Sequence, residues 1–178
     1  CLHEDSTSTA IAMRSLHSML LVVEFIGDKF MTAEEMWKKF VQESNIVEKE
    51  YDAWAFGDDA DLLAELVIRG IKTGTSSAYP LYEVDDEPLP EASGYSVILN
   101  SKEEAICIIE NTKVYVVPFC EVTADHAFKE GEGDRSLAYW RKNHEAFFTE
   151  CMEEVGLVFD ENMKVVCEEF RVVYPVEK

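Results

Sequence analysis

The sequence predicts an α+β fold: a small β-barrel, open or closed, with helices packed against it. Three observations carry this expectation. Strand-like apolar runs dominate the second half, at Tyr95–Leu99, 105–117 and 163–174. Along the last of these the phase changes, with Met163, Val165 and Cys167 on one face and Phe170, Val172 and Tyr174 on the other. A bulge is therefore expected at Glu168 and Glu169, of the kind that lets a barrel strand curve. Helical stretches are inserted among the strands without regular alternation, which disfavours a parallel α/β sheet.

The chain has 178 residues and is 47% apolar, enough for one sizeable core. No apolar run reaches membrane-spanning length; the nearest, 19–26, contains Glu24 and lacks the flanks of a secretory signal. No membrane partner is therefore expected. The five cysteines, at 1, 107, 120, 151 and 167, form no CxxC pair and are odd in number. Reduced thiols in a cytoplasmic protein are the expectation. With 36 acidic and 16 basic residues the formal charge is −20. Such a surface disfavours nonspecific DNA or RNA binding, which draws on many lysines and arginines, but leaves room for a local pocket that holds one nucleotide or nucleoside.

Residues 1–30, with a Ser/Thr-rich opening and an apolar patch after it, read as an upstream extension or leader, and 31–178 as a single domain. Thr32 and Glu35 form a capping box for a helix over 32–43, with Met36, Trp37, Phe40 and Val41 on its apolar face. The aromatic stretch 51–57 pins that helix or walls a planar ligand. Asp58 is placed to cap a second helix that buries Leu62, Leu63, Leu66 and Val67 and ends at Gly70. The acidic, proline-containing stretch 80–94 reads as a loop at a rim. Residues 100–104 turn between two strands, and 111–113 mark a bend in the longer one, which Pro118 ends. A short helix is expected around 123–129. Ser136 caps a long helix carrying Leu137, Trp140, His144, Phe147, Phe148, Cys151 and Val155 at helical spacing, with Gly156 at its end.

Chemistry concentrates at 61–77, where a helix leads through Gly70 into Lys72, Thr73, Thr75, Ser76 and Ser77. A partly desolvated Lys72 ammonium is a more available base near neutral pH. Lys72 and Thr75 face the same way only if the chain turns between them, at Gly74. Glu130 is the leading carboxylate, with Glu132 and Asp134 in the same glycine-rich segment. The two glycines let side chains converge from a short span. Arg135 suits bidentate recognition of phosphate or carboxylate, or tethers an acidic loop. The histidines form no compact metal motif, and His144, on an apolar helical face, reads as a core residue. No metal and no cofactor is expected.

These stretches resemble the ASCH domain proteins, a branch of the PUA-like β-barrel superfamily. The resemblance rests on FGDDADLLAELVIRGIKTGTSS at 56–77, PLP and GYSVIL within 88–99, VVPFCEVTADHAFKEGEGDRSLAYW at 116–140, and FDENMKVVCEEFRVVYP at 159–175. It implies a small barrel with helices near its openings and a cleft suited to RNA or a modified nucleoside. Some members are amidohydrolases of N4-acetylcytidine, and others are described as ribonucleases. In the amidohydrolases a lysine, a threonine three residues later and a glutamate act together, matching Lys72, Thr75 and Glu130 here. Thr75 is then the nucleophile, Lys72 activates it, and Glu130 assists proton transfer. KTGT and EGEGDRS depart from those compact hydrolases. The resulting expectation is recognition of RNA or a nucleoside by Lys72, Thr75 and Glu130, with Thr73, Ser76, Ser77, Glu132, Asp134 and Arg135 as further ligand contacts. Metal-independent RNA cleavage and hydrolysis of an acylated cytosine nucleoside are the enzymatic alternatives.

Overall fold

Five strands form one sheet in the order β1-β3-β4-β5-β2 in the computed structural model, which describes residues 30–47 and 49–175. In chain order the elements are α1 (Ala33–Ser44), β1 (Asp52–Ala55), α2 (Ala60–Ile68), β2 (Gly74–Ala78), α3 (Tyr79–Asp85), β3 (Tyr95–Leu99), β4 (Ala105–Pro118), α4 (Ala124–Glu130), α5 (Leu137–Glu154) and β5 (Lys164–Tyr174). β1 runs parallel to β3, and every other pair is antiparallel. The two outer strands, β1 and β2, do not pair with each other, so the sheet is open. The leader expected at 1–30 lies, Phe30 excepted, outside the described residues.

The caps and turns follow their local chemistry. Thr32 Oγ1 accepts from Glu35 N at 3.2 Å while Glu35 Oε2 accepts from Thr32 N at 3.0 Å, closing the capping box of α1. Met36, Trp37 and Phe40 are buried against Val97, Ile108 and Tyr174. Tyr51 stacks on Trp37 with ring centroids 4.6 Å apart. α2 is capped by Asp59, whose Oδ1 accepts from Leu62 N at 3.0 Å, one residue later than expected. Along this helix Leu62 faces outward, and Ala64 is buried with Leu63 and Val67.

Two elements correct the sequence reading. The stretch 51–57 contains a strand, β1, whose short, mostly exposed edge has no alternation to betray it. The presumed loop after β2 opens with the helix α3, which tolerates Pro80 because a proline in the first turn removes an N–H that has no helical partner anyway.

The register explains the phase change along β5. Asn111 pairs with Phe170 and Lys113 with Glu169, so the extra residue is Thr112 of β4, across from the expected position. β5 has its own extra residue at Val173, between the pairs Ile108–Tyr174 and Ile109–Val172. With these two irregularities one strand serves different cores along its length. Val165 and Cys167 pack with Trp140, Phe148 and Met152 under α4 and α5, whereas Phe170 packs with Leu63, Ala64 and Val67 of α2. Each fully buried aromatic or aliphatic side chain contributes about 1.5–3 kcal/mol. On α5, Phe147 and Val155 of the expected apolar face are partly exposed, and Met152 takes the buried place.

Candidate functional site

Lys72 is delivered by the way α2 ends. Gly70, in the left-handed region at φ 66°, lets the chain fold back so that Ile71 N and Lys72 N both donate to Leu66 O, at 2.9 and 3.0 Å. Thr73 N then donates to Lys129 O at 2.7 Å, tying this stretch to α4. Glu130 is the last residue of α4, and Gly131 follows it at φ 78°. A Cβ on Gly131 would stand 2.6 Å from Ile71 O and 3.0 Å from Lys72 Cα, so only glycine lets the two backbones cross this closely. Glu130 and Glu132, on either side of that glycine, both reach the same ammonium.

Lys72 is only 1% exposed. Its Nζ donates to Glu130 Oε2 at 3.1 Å and to Glu132 Oε1 at 2.7 Å, and lies 5.1 Å from the centre of the Phe56 ring. Glu130 is equally buried. Its other oxygen, Oε1, accepts from Ser76 Oγ at 2.6 Å and from Trp140 Nε1 at 2.7 Å. The imidazoles of His126 and His144 stand 3.3 and 3.5 Å from the same atom. Burial alone would push the Glu130 carboxyl up, but Lys72, then His144 and His126, outweigh it and hold the group well below the usual carboxylate range. His126 responds in the opposite sense. Burial opposes its charge, yet its neighbours Cys167 and Glu130 raise it to about 9. Its ring is fixed by Tyr115 OH at 3.1 Å from Nδ1 and Ser76 Oγ at 2.9 Å from Nε2.

Thr75 enters the same cleft, but its hydroxyl forms no hydrogen bond with Lys72 or Glu130 among the described residues. Gly74 makes no turn; it opens β2, where a Cβ would come 3.1 Å from Glu168 O. Lys72 reaches the site because the strand begins only after it. Ser76 points to Glu130, whereas Thr75 pairs across the strands with Glu168. Ser77 Oγ lies 2.8 Å from Tyr82 OH at the cleft wall. Thr73 Oγ1 lies 3.5 Å from Lys129 O, outside the cleft lining. Asp134 and Arg135 also lie outside it. Asp134 Oδ1 accepts from Ser136 N at 2.9 Å, and the Arg135 guanidinium sits 3.6 Å from the Phe128 ring centre while Nε donates to Phe128 O. Arg135 and Lys72 therefore do not share a site.

The cleft measures about 1210 Å³ and runs along the gap between the unpaired edges of β1 and β2. Trp54, Phe56, Tyr82 and Phe147 line it, as do His144 and the polar pair Asn111 and Glu168. Asn111 Nδ2 donates to Glu168 Oε2 at 2.6 Å, and burial raises the Glu168 carboxyl above the usual range despite that bond. Sequence reasoning missed His126, His144, Asn111 and Glu168 as site residues. For the last two a signal existed: each is a polar residue inside an apolar strand, at the points marked as a bend and a phase change. His144 stacks on Trp140 at 4.2 Å, as a core histidine would, yet its other edge faces Glu130. Nine carboxylates line the cleft against one ammonium among the described residues. No group of three or more His, Cys, Asp or Glu among the described residues is arranged to hold a metal ion, and no described helix is long and apolar enough to cross a membrane.

An open, mixed α+β sheet with helices on it, and a polar cleft between its edges around a buried Lys–Glu pair, define the class of protein. The model of the ASCH domain matches residues 52–174, and the chain belongs to that family, in keeping with the PUA-like superfamily. The solved structure of an ASCH domain from Lactobacillus crispatus JV V101 is 34% identical, covering 79% of this chain and 95% of that one, with a TM-score of 0.71. Protein EF3133 from Enterococcus faecalis V583 is likewise 34% identical, covering 79% of this chain and 86% of that one, with a TM-score of 0.73. No curated protein matches the chain.

Proposed function

We propose that the cleft recognises a nucleoside, free or as a single unstacked base of an RNA. The observation that supports this reading is the composition of the lining: aromatic walls at Trp54, Phe56, Tyr82 and Phe147 beside hydroxyls, with nine carboxylates and a single lysine. Aromatic faces suit stacking on a planar base. The lysine is already neutralised by Glu130 and Glu132, so it offers little to a phosphate. A phosphate roughly 10 Å from each such carboxylate would meet about 0.4 kcal/mol of repulsion apiece before screening, a few kcal/mol in all. A continuous RNA backbone is therefore a poor occupant, and an uncharged base and ribose are a good one. That weighs against RNA cleavage through Lys72 and Arg135.

The presence of Thr75 beside Lys72 and Glu130 in one lining favours a second reading, hydrolysis of an acylated nucleoside. Lys72 would first have to pass a proton to Glu132, the more exposed of its two partners, so that its neutral amine could take the Thr75 proton. The Thr75 oxygen would then attack the acyl carbon, the amine would leave with the proton returned from Lys72, and a water would hydrolyse the Thr75 ester to free the acid. The test is incubation of the protein with a single-stranded RNA and with free and N-acylated nucleosides, read by calorimetry and mass spectrometry. Saturable binding without chemical change supports recognition. Release of free acid that Thr75→Ala abolishes supports hydrolysis, RNA fragments support the ribonuclease, and no binding at all refutes the cleft as a nucleoside site.

A further inference from the structure

We propose that Asn111 and Glu168 form a subsite that binds an exocyclic amino group of a heterocyclic ligand between two acceptor oxygens. The subsite rests on the reading of the cleft as a nucleoside site and adds what part of the base is read. Asn111 is 6% and Glu168 8% exposed, and both line the cleft. The backbone of Asn111 is fully used, its N–H donating to Gly94 O at 2.9 Å and its carbonyl accepting from Ser93 N at 2.7 Å. Its side-chain Oδ1 is different: it is buried and has no hydrogen-bond partner among the described residues. A buried acceptor left unpaired costs about 1–3 kcal/mol, a standing inducement to bind a donor.

The orientation of the amide is set by its neighbour. Nδ2 donates to Glu168 Oε2 at 2.6 Å, and a flip would bring Oδ1 against a carboxylate oxygen. The irregularity at Thr112, next in sequence, is the kind of bulge that re-aims a side chain out of the regular ladder. Glu168 stands across from Thr75 on β2, which places the pair beside the cleft's hydroxyls. An amino group has two hydrogens and can satisfy both oxygens at once. A ring carbonyl in its place would set oxygen against oxygen, and the site would lose the donor it lacks.

The experiment titrates the whole protein with cytidine, uridine, adenosine and inosine at pH 8 by calorimetry. Cytidine over uridine, and adenosine over inosine, are each expected to bind at least about tenfold tighter, the weight of one buried hydrogen bond gained against one left unmade. Glu168→Gln, which puts an amide donor where an acceptor stood, is expected to collapse both ratios to below about threefold. The side-chain amide resonance of Asn111 is expected to shift with cytidine and not with uridine, a readout that needs no variant. Smaller ratios in the wild type, ratios that survive Glu168→Gln, or an unmoved Asn111 amide overturn the subsite while leaving the cleft reading intact. Failure of all four to bind at about 10 mM overturns the cleft reading and the subsite with it.

Discussion

Replacing Lys72 with methionine isolates what the buried ammonium does. Lys72→Met keeps the length of the stem and removes the charge from between Glu130 and Glu132. Glu132 is 20% exposed and can be rehydrated, so the cost falls on Glu130, which is 1% exposed and whose Oε2 has Lys72 as its donor. Removing one partner of a buried pair typically costs about 3–5 kcal/mol, a large part of a domain stability of about 5–15 kcal/mol. The pH dependence carries the sign. In the wild type the folded pKa of Glu130 is depressed, so its stabilisation is present above the unfolded value of 4.5 and is lost as pH falls through the folded one. In the variant the largest of the interactions that oppose burial is gone, so the Glu130 pKa rises and its penalty is relieved as pH falls. The difference between the two proteins should therefore be greatest at neutral pH and shrink toward pH 4. Glu130→Gln should cost less, about 1–3 kcal/mol, because Lys72 keeps Glu132; the double variant Lys72→Met, Glu130→Gln should recover most of the loss. Urea unfolding followed by tryptophan fluorescence measures all four proteins. A cost for Lys72→Met below about 1 kcal/mol at pH 7, or no coupling to Glu130→Gln, refutes the argument.

Two further outcomes test the supports of the site. Gly131→Ala should destabilise by at least about 2 kcal/mol, the sum of left-handed strain and a Cβ 2.6 Å from Ile71 O, and should weaken nucleoside binding by moving both glutamates; calorimetry and urea unfolding of the variant check this, and a neutral result would mean that the crossing is loose. His126, raised from 6.5 to about 9, contributes stability that is present below about pH 6.5 and is lost as pH rises through about 9. Unfolding midpoints should accordingly fall across that window, and His126→Gln should flatten the decline; an NMR titration of the ring that shows no raised pKa would contradict the assignment.

Local chemistry was legible in the sequence wherever neighbours along the chain decide the outcome. Thr32 with Glu35, Gly70 and Ser136 announce their caps and reversals because those bonds span only a few residues. The gathering of Lys72, Glu130 and Glu132 was legible to the extent that glycine was seen to permit it. β1 was not legible, since its strand character exists only through its pairing with β3. The phase change in β5 was visible as a pattern, but the extra residue sits on β4, a fact that only pairing can assign.

The sequence by itself determined the caps at Thr32 and Ser136, the apolar runs and the supply of carboxylates, because these depend on intrinsic propensity and on composition. Tertiary structure alone decided that Ser76 rather than Thr75 touches Glu130, that Arg135 turns to Phe128, and that Asn111 meets Glu168 beneath a cleft. Those contacts join residues seven to fifty-seven positions apart. Burial, which sets both their strength and the charge they hold, arises only when distant segments close over them.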